Sequence, residues 1–306
     1  MEDWERAQTR LKNIRSVQPI LSALRTISLG SWRAALSKRN GAYRYAERLK
    51  DMLPALLPHI RLKSRWGQLP GRRAKPPMPP SPERIAVLVV GSERGLCGTF
   101  NAAVVWHAEQ HLVELSKAGA HVELMALGTR VSRIFRRRRQ PLLWSGALSV
   151  TALPDYRLAL DLTRQWLTRY EERNLDAVDL VYNAYRGTAR YEPTVVRLIP
   201  PALPAVGRVG NSSYEVWPPP IIETDPLELY AYFVEQWIAT SLYGFLLDSA
   251  AAEHSARFQL LEGATQNARQ LIAELTLVLQ MARKHAITRE MQDLAAGAGL
   301  IGTRPK

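Results

Sequence analysis

Residues 264–282 read "ATQNARQLIAELTLVLQMA", in which Ala264, Ala268, Leu271, Leu275, Val278 and Ala282 recur three and four positions apart. On a helix that spacing lines up one narrow apolar stripe. A stripe of this width packs against another helix better than onto a sheet. The segment carrying it opens at "ETDPLELY", where Asp225 suits an N-cap and Pro226 the first helical position. From there to about Ala296 there is no proline and only two isolated glycines, Gly244 and Gly263. Roughly seventy helical residues span roughly 105 Å, more than a globular core of this size can bury.

A matching stripe lies at the other end of the chain. Leu11, Ile14, Val17, Leu21, Leu24 and Ile27 repeat at threes and fours within about the first 57 residues, on an otherwise charged surface. Pro19 removes one backbone donor from this helix and predicts a kink or a break there. The simplest arrangement winds the two terminal helices together as an antiparallel rod.

Between them the pattern changes. Residues 62–83, "LKSRWGQLPGRRAKPPMPPSPE", form a proline-rich linker without periodicity. "RIAVLVV" (84–90) reads as a buried strand, 99–118 as a helix, "HVELMAL" (121–127) as a strand and 155–173 as a helix. "DAVDLVYNAY" (176–185) is a further strand, and "YEPTVVRLIP" (191–200) an edge strand because of Pro193. Such alternation predicts a small Rossmann-like α/β domain with a mostly parallel sheet. The expected division is a coiled-coil helix over 1–60, a linker over 61–83, the α/β domain over 84–224 and a second coiled-coil helix over 225–306.

Composition narrows the classes. The chain has 306 residues, a net charge of +13 and one cysteine, Cys97, which excludes an internal disulfide framework and fits a reducing compartment. No stretch approaches a membrane span, and "MEDWERAQTR" does not read as a secretory signal. Residues 1–80 carry 17 Lys and Arg against 5 Asp and Glu, whereas residues 225–306 carry 7 against 9. An N-terminal basic excess suits nucleic acid, an anionic surface or an acidic protein partner.

Candidate chemistry is sparse. "GSERGLCG" follows the first strand, but Gly91, Gly95 and Gly98 are spaced as neither the dinucleotide pattern nor the P-loop, with no Lys-Ser/Thr pair for phosphates. A bare helix N-terminus can still hold an anion, so a nucleotide-binding enzyme stays open. The favoured reading is a tight structural turn whose small residues admit another segment. "HAEQH" places His107 and His111 one turn apart, a spacing zinc accepts, with His121 as a weak third ligand. Glu109 lies on the opposite side of that helix and no cysteine–histidine cluster completes a site, so no metal and no cofactor is expected. "FRRRRQP" (135–141) could hold phosphates, yet it lacks the interleaved aromatics of single-strand binders and any groove-reading motif. No nucleophile elbow or paired carboxylate is recognisable, so no active site and no nucleic-acid partner are expected.

Several motifs together resemble the γ subunit family of the F-type rotary ATP synthase. The family's C-terminal pattern runs Arg, Ala-Thr-x-Asn-Ala, Glu-Leu, Ala-Arg, Ile-Thr-x-Glu, Gly-Ala. It is matched by Arg257, Ala264 to Ala268, Glu274 and Leu275, Ala282 and Arg283, Ile287 and Thr288, Glu290, and Gly297 and Ala298. "SERGLCGTFN" is similar to the family's Ser-Asp-Arg-Gly-Leu-Cys-Gly turn, with Glu93 for aspartate, so Gly91, Arg94, Gly95, Cys97 and Gly98 are expected to be structural. "IRSVQPILSALRTISLGSWRAA" resembles the N-terminal helix and keeps Gln18, Ile20, Ala23 and Arg33. It departs where the family usually has lysine at Pro19, lysine near Ser22, an acid at Arg25, and a small-residue run at Gly30 and Trp32.

The resemblance implies a non-catalytic central shaft that couples proton flow to ATP synthesis at the β subunits. It implies a sleeve of α and β subunits, a small ε subunit and a membrane c-ring as partners, at the cytoplasmic face of a bacterial plasma membrane. By family position Leu24, Arg257, Arg283, Lys284, Thr288 and Glu290 contact the sleeve; for Arg257 and Glu290 the alternative is an ion pair inside the rod. A diverged relative serving a second rotary ATPase, or an uncoupled one, is the other reading of the departures.

Overall fold

A computed structural model describes residues 2–56, 84–202 and 221–298. The linker expected over 61–83 lies outside the described residues. In order, the elements are α1 (Glu2–Leu56), β1 (Arg84–Val90), α2 (Phe100–Lys117), β2 (His121–Leu127), α3 (Thr129–Arg137), β3 (Trp144–Gly146), α4 (Tyr156–Glu171), β4 (Ala177–Gly187), β5 (Arg190–Ile199) and α5 (Pro226–Gly297). The chain divides into two compact units, one of Met1–Ile27 with Phe258–Lys306 and one of Ser28–Arg257.

In the first unit α1 and α5 are antiparallel. Arg15 donates to the Thr276 hydroxyl at 3.4 Å, and Arg25 ion-pairs with Glu262, so partner numbers fall as α1 advances. The packed face of α1 is Leu11, Ile14, Gln18, Leu21 and Arg25; that of α5 is Leu261, Thr265, Ala268, Ile272, Leu275, Leu279 and Ala282. Both alternate threes and fours, the 3.5-residue period of a coiled coil. Two corrections follow. Val17 and Ile27 are 47% and 62% exposed, and Val278 is 54% exposed. The 3.5-residue period puts Gln18, Arg25 and Thr265 on the seam, and hydrophobicity alone could not see them. Nor does Pro19 break α1: it lies on the exposed side, and helix continues on both sides of it.

In the second unit a five-stranded sheet has the order β3-β2-β1-β4-β5, parallel except for β5. Buried residues of β1 alternate between two cores. Ile85, Val87 and Val89 face α2 and α3 with Val104, Val131 and Phe135. Ala86, Leu88 and Val90 face the other layer, where Trp166 of α4, Leu53 of α1 and Tyr230, Val234 and Leu242 of α5 gather. Pro193 sits on β5 opposite Asn183, on an edge strand as expected. The sequence reading did not anticipate α3 and β3. Arginines dominate α3, and β3 has three residues, too short for alternation to show.

Within this unit too α1 and α5 touch. Arg39 pairs with Asp248 at 2.6 Å, and Gly244 meets the ring of Tyr43 so closely that an added Cβ would lie 2.8 Å from it.

Candidate functional site

The turn after β1 is built by its own side chains. The Ser92 amide donates to Asn101 Oδ1 at 2.9 Å, Asn101 Nδ2 donates to Ser92 Oγ at 2.7 Å, and Ser92 Oγ donates to the Arg94 carbonyl at 2.7 Å. Gly98 has φ +61°, the left-handed region where glycine is at ease. A Cβ at Gly91 would sit 1.9 Å from Val131 Cγ2, so this glycine is needed for β1 to pass α3. Burial pushes the thiol of Cys97 up, which keeps it protonated and unreactive.

Glu93 supplies the anion for the neighbouring helix. Its carboxylate accepts from the Thr129 amide at 3.0 Å, from the Thr129 hydroxyl and from the Leu148 amide at 3.0 Å. Burial alone would raise this carboxyl, but the Thr129 hydroxyl and the two amides hold it below its usual value. The start of α3, where a bound anion would be favoured, therefore already carries one.

Arg257 closes the turn from α5. Its side chain is buried; it pairs with Glu253 one helical turn away and donates to the carbonyls of Gly95 at 3.1 Å and Arg94 at 3.2 Å. It also donates to His254 Nδ1 at 3.1 Å. Burial, then the Arg257 charge, lowers His254 to about 4, so its ring is the neutral acceptor this contact needs. Arg257 thus takes part in an ion pair within the chain. The turn and α5 are joined at this one guanidinium.

The other residues tied to the sleeve by resemblance lie elsewhere. Leu24 is half-buried on α1. Arg283, Lys284, Thr288 and Glu290 are all exposed near the end of α5, where residues 283–294 present every side chain to solvent. Thr288 donates only to its own helix, at the Lys284 carbonyl, 2.9 Å away. This stretch is a displayed surface and not a cleft.

His111, read as half of a metal pair, meets Asp179 Oδ2 at 2.9 Å, and Arg197 grips the same carboxylate at 2.7 and 3.0 Å. Among the described residues no group of His, Cys, Asp and Glu is arranged to hold a metal ion. An open cleft of about 480 Å³ is lined by Lys38, Tyr45, Tyr156, Gln236, Thr240 and Tyr243. Tyr156 donates to Gln236 Oε1 there at 2.7 Å, and the lining offers no nucleophile with a base. Sequence reasoning missed Glu93 as a cap, Asp179 as a buried hub and Asp248 as the partner of Arg39; their partners lie 36, 68 and 209 positions away.

These arrangements make a scaffold, and known proteins share its fold. A family profile described as ATP synthase matches residues 4–299. The chain is 32% identical over 289 residues to the ATP synthase gamma chain of Rubrobacter xylanophilus, across 94% of this chain and 95% of that relative. It is 28% identical over 321 residues to the gamma chain of a Synechococcus species, across 97% and 98%. Its fold is similar to a chain in the cryo-EM structure of the Euglena gracilis mitochondrial ATP synthase OSCP/F1/c-ring, with a TM-score of 0.60, 14% identity and coverage of 100% and 98%. It is likewise similar to one in the central stalk/c-ring of the Tetrahymena thermophila enzyme, at 0.55, 19%, 80% and 99%. No described helix is long and apolar enough to cross a membrane. The chain belongs to the ATP synthase gamma chain family, the non-catalytic central-stalk subunit of the F-type enzyme.

Proposed function

We propose that this chain is the turning shaft of a proton-driven ATP synthase at the cytoplasmic face of a bacterial plasma membrane. Its α5 end enters a sleeve of α and β subunits, and its α/β unit joins ε and the c-ring. ATP chemistry resides in β. The shaft acts as a ligand with unequal affinity for the β conformations, and rotation passes that preference from one site to the next.

One observation carries the reading: α1 and α5 lock antiparallel through 3.5-residue faces, while residues 283–294 of α5 display all their side chains. The wound pair resists twist, and the displayed end is available to a partner. Arg283 and Lys284 supply cations for acidic β loops through charge-assisted bonds. Leu24, Thr288 and Glu290 complete the contact set. Arg257 supports it from inside by tying α5 to the turn.

Copurification from native membranes tests the proposal. A tagged chain is expected to bring down three α and three β chains per copy. Recovery without them rejects it.

A further inference from the structure

We propose that the arginine surface of α3 and the turn after it is a docking face for the phosphate headgroups of anionic lipids. This rests on the membrane-complex reading above.

Residues 130–139 hold six arginines and no acid: Arg130, Arg133, Arg136, Arg137, Arg138 and Arg139. All six are exposed, because the helix turns Val131 and Phe135 into the core. Two are partly matched within the chain: Arg138 pairs with Glu109, and the charge of Arg133 acts on Glu93. Arg136 donates to the Ser145 hydroxyl at 3.1 Å. Arg136, Arg137 and Arg139 thus concentrate positive charge around the C-terminal end of α3, where the helix dipole also favours cations. Guanidinium groups match phosphate oxygens in paired hydrogen bonds.

The neighbours favour lipid over other polyanions. Trp106 is 61% exposed and lies one turn from Glu109, the partner of Arg138; Val113, also exposed, lies one turn beyond. Leu143 is 61% exposed, two residues from Ser145, the partner of Arg136. Arginines flanked by exposed Trp, Leu and Val make an interfacial surface, polar and apolar side by side. This face of the sheet is the one covered by α2 and α3, whereas α1 and α5 contribute to the opposite core. The run from Arg136 to Arg139 itself carries no aromatic side chain on which bases could stack.

Flotation of the full chain with vesicles tests this. Binding is expected to phosphatidylcholine vesicles doped with phosphatidylglycerol, not to phosphatidylcholine alone, and to fall as salt rises. R136Q/R137Q/R139Q is expected to lower partitioning about a hundredfold, near fivefold per arginine, with an unchanged melting curve. Equal binding by the variant, equal binding to neutral vesicles, or no vesicle binding overturns the proposal. So does tight binding to duplex DNA or polyglutamate without vesicle binding. Copurification with α and β does not involve these arginines, so failure here leaves the shaft reading standing, and failure there leaves this result readable.

Discussion

Asp179 is 1% exposed on β4, and a carboxylate there survives only with partners. Burial raises its pKa, while hydrogen bonds from His111 and Arg197 and the arginine charge lower it, and the net result lies below 3.8. A depressed carboxyl contributes stability that is present above 3.8, its unfolded value, and is lost as pH falls through the folded value. Asp179→Asn is expected to cost about 2 kcal/mol at neutral pH, since Arg197 and His111 lose a charged acceptor. The same variant should flatten the loss of stability in acid. Urea denaturation at stepped pH measures both, and an unchanged acid slope refutes the assignment. Little of this was legible beforehand. His111 was visible as one of two histidines at metal spacing, but its partner stands 68 positions away. Arg257 was legible as a motif residue, and its burial on the Gly95 turn was not.

Among the elements, α1 shows how a departure from family pattern is absorbed. Arg25, where resemblance implies an acid, pairs with Glu262 across the helix pair. Trp32 packs near Tyr185, with ring centroids 6.1 Å apart, and joins the small core of Ala35 and Ala251. Pro19 has no such compensation. Its missing N–H leaves the Arg15 carbonyl without an intrahelical donor, and its ring faces solvent. Pro19→Ala is therefore expected to stabilise the first unit by up to about 3 kcal/mol, read as a higher urea midpoint. A lower midpoint would show that the proline makes a contact worth keeping. The length of the helices was legible because proline is rare in them and the apolar repeat persists. Their seam was not, since Thr265 and Ser28 are buried while Val278 is exposed.

At the scale of the whole molecule, stability and coupling should separate. Residues 283–294 bury almost nothing, so they contribute little to either unit's fold. Arg283→Ala is expected to leave the melting temperature of the chain unchanged and to lower ATP synthesis in reconstituted vesicles. Unchanged synthesis would remove Arg283 from the contact set. A melting temperature several degrees lower would mean that the side chain supports the fold, contrary to its exposure.

Local periodicity is written into neighbouring residues, so the amino-acid sequence alone determined two long helices, the strand–turn–helix alternation between them and membership of one family. Partner choice depends on which distant positions the chain brings within a few ångströms. Only the tertiary structure could therefore decide that Glu93 caps α3, that Asp179 joins His111 to Arg197, that Arg39 meets Asp248, and that Arg257 faces inward while Arg283 faces out.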